Sequence, residues 1–539
     1  MNPMKRIHLL LLSILSGLLF ALAWPERGFV PLLFFAFVPL FFIQQQLGDS
    51  GKKGMFWYAW LAFIIWNALT TWWIWNSTSV GAVLAIVLNS LFMAVVFWLF
   101  HLSKKMLYQN KQGFFILVFY WISWEYFHMN WDLSWSWLNL GNGFAAYDKW
   151  IQWYAYTGIL GGTFWVLAVN IVAYHFINYL FFLKEKKPVI IYSIILFLLL
   201  FIPVTLSYII YNHYVEKGKP VEVVVVQPNT DPYHEQYNLA PETILERNLK
   251  LAEKKITDST DFVVFPESTL YDGRNGIWEG ALMRSPLLIK LKSFIQEHPQ
   301  ITVVIGASTY RLIGENEKKT NAARKFTNSN EYYYAYNTAL MIDKTGVFQI
   351  HHKSKLAPGV EVMPSWGILK PVEKLALNLG GTIGTLKKDK GIVIFTDKQG
   401  IGISPVICYE SVYGEFVGKT VRKGAGLIFV ITNDGWWGNT PGYRQHFLFS
   451  VLRAIETRRC VARSANTGIS AFINQRGDVF QKTKYWEPAV IRQSLPVNTR
   501  ETFYVKYGDY LARISVFISA FVFLIAMVRG YLRKRNSLF

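Results

Sequence analysis

The stretch that decides the fold is Gly402-Ile403-Ser404-Pro405-Val406-Ile407-Cys408-Tyr409-Glu410. Its first six residues are typical of a short buried strand, and the amphipathic run after Ser411 predicts a helix. The stretch therefore brings the thiol of Cys408 to a strand-to-helix junction, where open α/β sheets bind ligands. The N–H groups of a helix N-terminus would favour the thiolate at this point. A buried structural cysteine is the alternative, since free cysteines are among the most buried residues.

Around this stretch, between Pro220 and Pro496, short apolar runs are interleaved with amphipathic ones. The predicted strands cover residues 221–226, 261–265, 301–305, 336–342, 392–395, 402–407, 427–431 and 469–473. The predicted helices cover residues 241–256, 287–295, 412–422 and 444–460. This alternation indicates an α/β sheet domain. With roughly 275 residues, such a domain can bury a core of its own.

The composition of the whole chain points to a membrane protein with a soluble part. Of its 539 residues 52% are hydrophobic and only 17% are charged, whereas soluble chains carry about 25% charge. The net charge of +20 would suit a nucleic-acid partner. We predict none, because the basic residues form short clusters beside apolar segments, as cytoplasmic loops do. Two cysteines, Cys408 and Cys460, are too few for a disulfide framework, and Cys460 is expected in the core at the end of a helix.

Eight apolar segments are candidate membrane spans: residues 8–23, 29–43, 56–75, 80–101, 114–128, 160–183, 189–211 and 514–528. They predict a polytopic α-helical membrane domain over residues 1–211 with about seven spans. A soluble α/β domain follows over residues 212–510, and a last span with a basic tail occupies residues 511–539. The first segment is alternatively a cleaved signal peptide, because Lys5 and Arg6 precede it and Ala21-Leu22-Ala23 resembles a cleavage site.

The distribution of lysine and arginine predicts the orientation in the membrane. Basic clusters occur on alternate connections, at residues 5–6, 52–53, 104–111, 184–187 and 533–535. The positive-inside rule then places both termini in the cytoplasm and residues 212–510 on the far side, which is the periplasm of a Gram-negative cell.

Ionisable residues are sparse in the predicted spans. Glu125, His128 and His175 lie near span ends, which favours an interfacial position over a functional one. The Trp-rich loop over residues 131–138 is either an aromatic anchor or a lipid-facing rim beside an active site, and the sequence leaves both interpretations open.

Three polar residues of the soluble part follow predicted strands or a hairpin: Glu267, Lys353 and Cys408. Together they support acyl transfer. Glu267 would take the thiol proton as general base, Cys408 would attack a carbonyl to form a thioester, and Lys353 would stabilise the oxyanion. A single Glu or Lys in a loop is more often solvated surface, so the prediction rests on the combination.

Nothing in the sequence indicates a cofactor or a metal. The glycine-rich stretch over residues 380–384 lacks the lysine and hydroxyl residue of a phosphate loop and is predicted to be a flexible turn. His351 and His352 are adjacent, so on a strand they point to opposite faces and could not readily share one ion.

The ordered Glu267, Lys353 and Cys408 resemble the catalytic set of the carbon–nitrogen hydrolase (nitrilase) superfamily. The resemblance is carried by residues 226–229, 265–267, 353–361, 407–410, 432–438, 445–447, 453–456 and 464–470. With the flanking membrane spans, the chain resembles the apolipoprotein N-acyltransferase family. That family implies a nitrilase-like α-β-β-α sandwich, with Glu361 and Glu410 as supporting carboxylates and Tyr409 as a neighbour of the nucleophile.

The resemblance also implies a reaction and its partners. A phospholipid, expected to be phosphatidylethanolamine, would donate its sn-1 acyl chain to Cys408. The α-amino group of the S-diacylglyceryl cysteine of an apolipoprotein would then accept that chain, at the bacterial inner membrane. The stretch Ala357-Pro358-Gly359-Val360-Glu361 departs from the aromatic–glycine–glutamate order common in the family, and Tyr237 stands where the family often has Trp. Lys355 competes with Lys353, which is preferred for its spacing to Glu361.

Two alternatives use the same sequence differently. A membrane-tethered amidase or nitrilase would use the same three residues and release the acyl group to water. A transporter with an inert soluble domain is disfavoured by the scarcity of charge within the spans.

Overall fold

The computed structural model describes residues 4–236, 238–272, 276–346, 348–362, 385–389 and 391–536. The chain forms two compact units. The first comprises Met1–Trp72, Ala82–His213 and Asp509–Phe539, and the second comprises Trp73–Gly81 and Tyr214–Gly508. The segment Trp73–Gly81 links two helices of the first unit along the chain but belongs to the second.

The first unit is helical. Its helices are α1 (Arg6–Ala23), α2 (Val38–Ser50), α3 (Met55–Thr71), α4 (Ser79–Tyr108), α5 (Phe115–His128), α6 (Tyr154–Thr157), α7 (Ile159–Ile177), α8 (Lys186–His213) and the last helix, Tyr510–Asn536. Tighter 3-10 turns at Val30–Phe35, Trp72–Asn76, Ser136–Leu138, Leu140–Phe144 and Asp148–Trp150 connect them, and α7 continues as a π turn over Asn178–Leu183.

Six helical segments of the described residues are long and apolar enough to cross a membrane. They are Arg6–Ala23, Val30–Ser50, Ser79–Tyr108, Ile159–Leu183, Lys186–His213 and Tyr510–Arg533. The two other predicted spans are helices too, but α3 has 17 residues and α5 has 14. At 1.5 Å per residue these are about 25 and 21 Å long, against a hydrocarbon core of about 30 Å. The chain is thus a polytopic membrane protein, and the predicted number of eight spans is not confirmed.

Glu125 and His128, two of the ionisable residues in the predicted spans, form hydrogen bonds inside the helical unit. Glu125 is buried and accepts hydrogen bonds from the Thr163 hydroxyl (2.6 Å) and the Leu140 N–H (2.8 Å). His128 accepts a hydrogen bond from the indole N–H of Trp131 (2.8 Å). Trp137, in the same Trp-rich loop, is fully buried. Part of the Trp-rich loop therefore packs inside this unit.

The second unit is an α/β domain. Its helices are α9 (Pro241–Glu253), α10 (Pro286–Glu297), α11 (Gly414–Arg422), α12 (Pro441–Thr457) and α13 (Phe503–Tyr507). Its strands are β1 (Lys219–Gln227), β2 (Thr260–Val264), β3 (Ile277–Trp278), β4 (Thr302–Leu312), β5 (Arg324–Lys325), β6 (Tyr332–Ile342), β7 (Phe348–His352), β8 (Phe395–Thr396), β9 (Gly402–Ile407), β10 (Ala425–Thr432), β11 (Cys460–Ala465), β12 (Ala471–Ile473), β13 (Val479–Phe480) and β14 (Ala489–Val497).

The described strands form two sheets. One has the order β14-β1-β2-β4-β6-β5, with β3 beside β4 and β7 beside β6; the other has the order β13-β12-β11-β10-β9-β8. The pairs β1–β2 and β2–β4 of the first sheet and β9–β10 and β10–β11 of the second are parallel. The short strand β3 also pairs with β4 in parallel. The remaining pairs are antiparallel, β4 with β6 and β11 with β12 among them.

Alternating apolar side chains explain the layers. On β1, Val223 and Val225 belong to the core between the sheets, while Val224 and Val226 join the core beneath α9 and α10. Successive valines of β1 thus point to opposite faces of the sheet, and both faces are buried. Helices α11 and α12 contact the strands of the second sheet. The layers confirm the α-β-β-α sandwich.

The structure corrects two predicted helices. The helix predicted over residues 444–460 ends at Thr457, because Arg458 takes a left-handed conformation (φ 52°), and Cys460 starts β11. The helix predicted from residue 412 begins at Gly414, after the 3-10 turn Cys408–Val412. Strands β3, β5, β11, β13 and β14 were not predicted, and β7 was predicted only as part of a hairpin before Lys353. Cys408 and Cys460 are both free.

Gly306 on β4 shows how tightly the turn after β2 is packed. An added Cβ there would lie 2.5 Å from the Cα of Glu267 and 2.6 Å from the carbonyl oxygen of Pro266. Both contacts are backbone atoms, which cannot rotate away, so only glycine allows the turn at Glu267 to approach the strand.

Replacing Gly306 with alanine should therefore destabilise the domain. We expect a loss of about 1–3 kcal/mol, the usual cost of overpacking, and a fall of several degrees in the melting temperature. Thermal unfolding of the purified protein measures it. Gly280→Ala is the matched control, since a Cβ there meets nothing within 4 Å. Equal melting temperatures for the two variants would show that the turn can move aside.

Candidate active site

Glu267 lies at the centre of the site and is held from three directions. It follows β2 and is 7% exposed. Its Oε1 accepts hydrogen bonds from the Asn337 amide (2.6 Å) and the Lys353 ammonium (3.2 Å). Its Oε2 accepts the backbone N–H of Asn433 (2.9 Å), which follows β10. Glu267 thus links the two sheets, and these three hydrogen bonds hold its carboxylate in one orientation.

Lys353 lies between two carboxylates. Its backbone N–H donates to the Asn337 carbonyl (2.8 Å), and its buried Nζ donates to Glu267 and to Glu361 Oε1 (2.8 Å). The other oxygen of Glu361 accepts the N–H of Ala357 (2.8 Å). Burial alone would lower the pKa of Lys353, but Glu267 and Glu361 together raise it well above its usual value. Lys353 is therefore a fixed ammonium group.

Lys355, the competing lysine, has a different environment. Its Nζ lies over the ring of Tyr413, 4.6 Å from the centroid. Burial, together with Lys419 and Lys388, lowers the pKa of Lys355 to about 8. The structure therefore places Lys353 rather than Lys355 between the carboxylates.

Cys408 is partly exposed and opens the 3-10 turn after β9 in a left-handed conformation (φ 48°). Its carbonyl accepts hydrogen bonds from the Ser411 hydroxyl (2.7 Å) and His446 Nε2 (3.1 Å). Burial, followed by the charge of Glu267, raises the pKa of the Cys408 thiol, and Lys353 only partly opposes this. The expectation of a stabilised thiolate is therefore wrong, because burial and then the charge of Glu267 both disfavour the thiolate. The thiol needs a base to become a nucleophile.

Glu410 joins the cysteine turn to the lysine loop. It is fully buried, and its carboxylate accepts the N–H groups of Ile407 (2.8 Å) and Ser354 (2.6 Å). His351 Nε2 lies 3.0 Å from it. Tyr409 is buried edge-on against Tyr413, with the ring centroids 5.3 Å apart. These contacts support the structural part expected for both residues.

No sequence pattern predicts a role for Asn337, Asn433 or His446. Asn337 donates to both Glu267 and Glu361, the latter at 3.0 Å. The only signal for it was an amide within an otherwise buried strand. Asn433 and His446 lie in stretches that carried the family resemblance, but their contacts with Glu267 and Cys408 depend on the fold.

Behind Cys408 lies a buried ion network. His446 Nδ1 bonds Asp434 (2.8 Å), and Arg463 donates to the other oxygen of Asp434 (2.7 Å). The Sγ of Cys408, a carboxylate oxygen of Asp434 and a ring nitrogen of His446 lie within 4.8 Å of one another, which is a possible metal-ligand set. The guanidinium of Arg463 would repel a cation there, since it also lies 3.0 Å from His446 Nδ1. The network is better suited to positioning the cysteine turn.

The adjacent histidines His351 and His352 lie outside the central Glu267–Lys353 contact. His351 contacts Glu410, whereas His352 contacts Glu279 (2.7 Å), so the adjacent histidines serve different partners. Tyr237 and the turn predicted over residues 380–384 lie outside the described residues.

The chain matches two known family models. Residues 222–503 match the family model of the carbon-nitrogen hydrolases, and residues 16–172 match that of the apolipoprotein N-acyltransferase N-terminal domain. The first match covers more than half of the chain, so the chain belongs to the carbon–nitrogen hydrolase family.

Similar whole-length relatives then narrow the family. The chain is 28% identical to the apolipoprotein N-acyltransferase of Chlorobaculum tepidum, over 96% of both chains. It is also 28% identical to that of Geobacter metallireducens, over 96% of this chain and 95% of the relative. Among solved structures, Saccharomyces cerevisiae Nit3 of the nitrilase superfamily has 17% identity and a TM-score of 0.36, over 52% of this chain and 90% of its own. The predicted relation to the apolipoprotein N-acyltransferases is confirmed.

The charges around Cys408 predict how its reactivity responds to pH. Because the negative charge of Glu267 raises the pKa of the thiol, Glu267→Gln should lower that pKa and speed alkylation of Cys408 at pH 8. In the wild type, the alkylation rate should keep rising above pH 8.5, the pKa of an ordinary thiol. The rate of iodoacetamide labelling of the Cys408 peptide across pH measures both.

Glu317→Gln is the control for this experiment. Glu317 is about one-third exposed and pairs with Arg311, so its loss should leave the Cys408 profile unchanged. A Cys408 pKa in Glu267→Gln at or above that of the wild type would contradict the electrostatic account.

Proposed function

We propose that the protein transfers an acyl chain from a phospholipid, through a thioester on Cys408, to the N-terminal amino group of apolipoproteins. The observation that carries the proposal is the convergence of Glu267, Lys353 and Cys408 at strand ends of one domain. Glu267 and Lys353 are in direct contact at 3.2 Å, and both shift the pKa of the Cys408 thiol. A base, an ammonium group and a nucleophile are the parts that acyl transfer requires.

In the first half-reaction Glu267 removes the proton from the Cys408 thiol as the sulfur attacks the sn-1 ester carbonyl. The negative charge that develops on the carbonyl oxygen is stabilised by the ammonium of Lys353. When the tetrahedral intermediate collapses, the bond to the glycerol oxygen breaks, and that oxygen takes the proton from Glu267. The products are an acyl-thioester on Cys408 and a lysophospholipid.

In the second half-reaction the α-amino group of the diacylglyceryl cysteine attacks the thioester carbonyl. Glu267 accepts the proton that the amine loses, and Lys353 again stabilises the oxyanion. Collapse breaks the carbon–sulfur bond, and the proton on Glu267 returns to the sulfur. The product is an amide, and the enzyme regains its starting state.

Membrane anchoring supports transfer over hydrolysis. Six helical segments suit a membrane, and both proposed substrates are lipids or lipid-anchored, so the enzyme meets them at high effective concentration. Cys408 packs against the apolar core between the two sheets, and such a surround limits the water that would hydrolyse the thioester. The named relatives also favour N-acyl transfer over the amidase alternative.

The finer assignments belong to the same proposal. We take phosphatidylethanolamine as donor, residues 1–211 and 511–539 as the membrane part and residues 212–510 as the catalytic domain in the periplasm. Basic clusters at residues 5–6, 52–53, 104–111, 184–187 and 533–535 support this orientation.

The acyl-enzyme should be visible by intact-protein mass spectrometry after incubation with phospholipid alone. The wild type should gain the mass of one acyl group, and neutral hydroxylamine should remove it, as expected for a thioester. Cys408→Ser should gain no hydroxylamine-labile adduct. Glu267→Gln, which retains the thiol, should acylate roughly 10²–10⁴-fold more slowly, the range for loss of a general base.

Adding a diacylglyceryl peptide and labelled phosphatidylethanolamine completes this test. Label on the peptide amine supports the proposal, whereas free acid from an amide substrate without peptide product would establish the amidase alternative. Undiminished activity of Cys408→Ala in cells would instead favour a transporter.

The orientation predicts which side of the membrane labels the catalytic domain. Lys398 is exposed, so Lys398→Cys, in a chain with Cys408 and Cys460 replaced by serine, should react with a membrane-impermeant maleimide in intact spheroplasts. A cysteine at Lys5 is the control and should react only after lysis. The reverse pattern would place the catalytic domain in the cytoplasm.

A further inference from the structure

The linker segment, Trp73–Gly81, covers the end of one predicted membrane span and the start of the next, yet it is part of the catalytic unit. It lies within the residues that match the N-terminal domain model, 16–172, and outside those that match the hydrolase model, 222–503. Its contacts with the unit reach loops on both sides of the candidate active site.

Trp73 is the buried anchor of the linker segment. It is 1% exposed, and its ring packs against Gly442 at the start of α12, where an added Cβ would lie 2.6 Å from the indole. It also meets the ring of Trp437 edge-on, with the centroids 4.9 Å apart and the planes at 61°. Glycine at position 442 makes room for this indole.

The ring of Trp437 also contacts His446, the residue that bonds the backbone of Cys408. The two rings lie edge-on, with the centroids 5.4 Å apart and the planes at 82°. His446 Nε2 bonds the carbonyl of Cys408 (3.1 Å) and the hydroxyl of Ser411 (3.0 Å). Trp73, Trp437 and His446 therefore form an aromatic column that ends at the backbone of Cys408.

Polar contacts hold the same loop from outside. The Asn76 amide donates to the carbonyl of Trp437 (2.9 Å). The hydroxyl of Tyr233 donates to the carbonyls of Trp436 (2.7 Å) and Asn76 (3.3 Å). At the other end of the segment, a Cβ on Gly359 would lie 3.4 Å from the Cα of Gly81, so the segment also touches the loop between Lys353 and Glu361.

The column matters because Cys408 has a conformation that a non-glycine residue does not hold by itself. A left-handed φ of 48° is unfavourable for cysteine. Its carbonyl must be kept in place by partners outside the turn, and His446 is one of them. The ring of His446 is fixed by Asp434 on one side and by Trp437 on another.

We propose that the linker segment, through the aromatic column of Trp73, Trp437 and His446, holds Cys408 in its strained, reactive conformation. Trp73 and Asn76 are thus positioning residues for the nucleophile, supplied by the N-terminal part of the chain. The acylation experiment below rests on the proposed function, whereas the thiol-labelling experiment does not.

Trp73→Ala should distinguish a positioning role from a folding role, because it should slow acylation of Cys408 and speed its alkylation. Without the indole, Trp437 and His446 lose their fixed places and the turn at Cys408 relaxes. We expect acylation by phospholipid to slow on the order of tenfold, since an aromatic edge contact is worth about that factor, with the KM for the donor unchanged. The released, better solvated thiol should react faster with iodoacetamide at pH 8, because burial is the main cause of its raised pKa.

The chain contains its own control for unfolding. Cys460 is fully buried on β11, so it should stay unlabelled in folded Trp73→Ala. Trp75→Ala is the matched control: it removes the same side chain from the same segment, but Trp75 is 59% exposed. Neither acylation nor labelling of Cys408 should change in that variant.

Two further variants make the proposal falsifiable if Trp73→Ala folds poorly. Trp73→Phe keeps an aromatic edge and should restore most of the acylation rate. Asn76→Ala removes an exposed amide without opening the core and should show the same pair of opposite effects, several-fold in size.

The outcomes either support or overturn the proposal. Slower acylation with faster Cys408 labelling and unlabelled Cys460 supports it. Wild-type rates of acylation and of Cys408 labelling in Trp73→Ala and Asn76→Ala overturn it. Labelling of Cys460 together with Cys408 also overturns it, because Trp73 would then be only a core residue that the fold needs. If no variant, wild type included, forms an acyl-enzyme while labelling still shifts in Trp73→Ala, the proposed function fails and the positioning role stands.

Discussion

The contact on which the rest of the site depends is the buried ion pair of Lys353 with Glu267 and Glu361. The ammonium of Lys353 lies 3.2 Å from one carboxylate and 2.8 Å from the other, and Asn337 donates to both. Removing one partner of such a pair leaves a buried charge without compensation, which typically costs about 3–5 kcal/mol. Glu267 and Lys353 follow β2 and β7, and Asn337 lies on β6, so these contacts also fix how the three strands meet. Stability of the site and its chemistry therefore have the same origin.

The charge balance of this group explains why the nucleophile is kept as a thiol. Burial is the main cause of the raised pKa of the Cys408 thiol, and the net negative charge of two carboxylates and one ammonium beside it adds to the rise. A protonated thiol is a poor nucleophile and is protected from oxidation and alkylation. In the proposed reaction, Glu267 accepts the thiol proton when a carbonyl arrives, and the ammonium of Lys353 stabilises the oxyanion. A site built in this way has little reactivity until the acyl donor is present.

Holding the nucleophile in place requires support from several parts of the chain. Glu410 ties the cysteine turn to the lysine loop through the N–H groups of Ile407 and Ser354. His446 holds the carbonyl of Cys408 from the other side, and the linker segment packs against the loop that fixes His446. A cysteine in the left-handed backbone conformation is stable only where many surrounding contacts hold it. This explains why several parts of the chain contact the turn at Cys408. The linker segment thus gives the N-terminal part of the chain a share in a site whose reacting groups all come from the hydrolase domain.

The sequence by itself determined the presence of several apolar helical segments and the α/β class of the second unit, because both depend on local signals, namely apolar length and strand periodicity. It predicted Glu267, Lys353 and Cys408 from polar residues where apolar runs end, and the structure brings these three together. It also placed Glu361, Tyr409 and Glu410, through a resemblance of short motifs. Only the tertiary structure decided that Asn337 bridges two carboxylates, that Asn433 donates to Glu267 and that Asn76 holds Trp437. These contacts join residues 70, 166 and 361 positions apart, so no local pattern contains them. The direction of the Cys408 pKa shift likewise depends on burial and on the sum of charges in space, which the order of residues along the chain does not show.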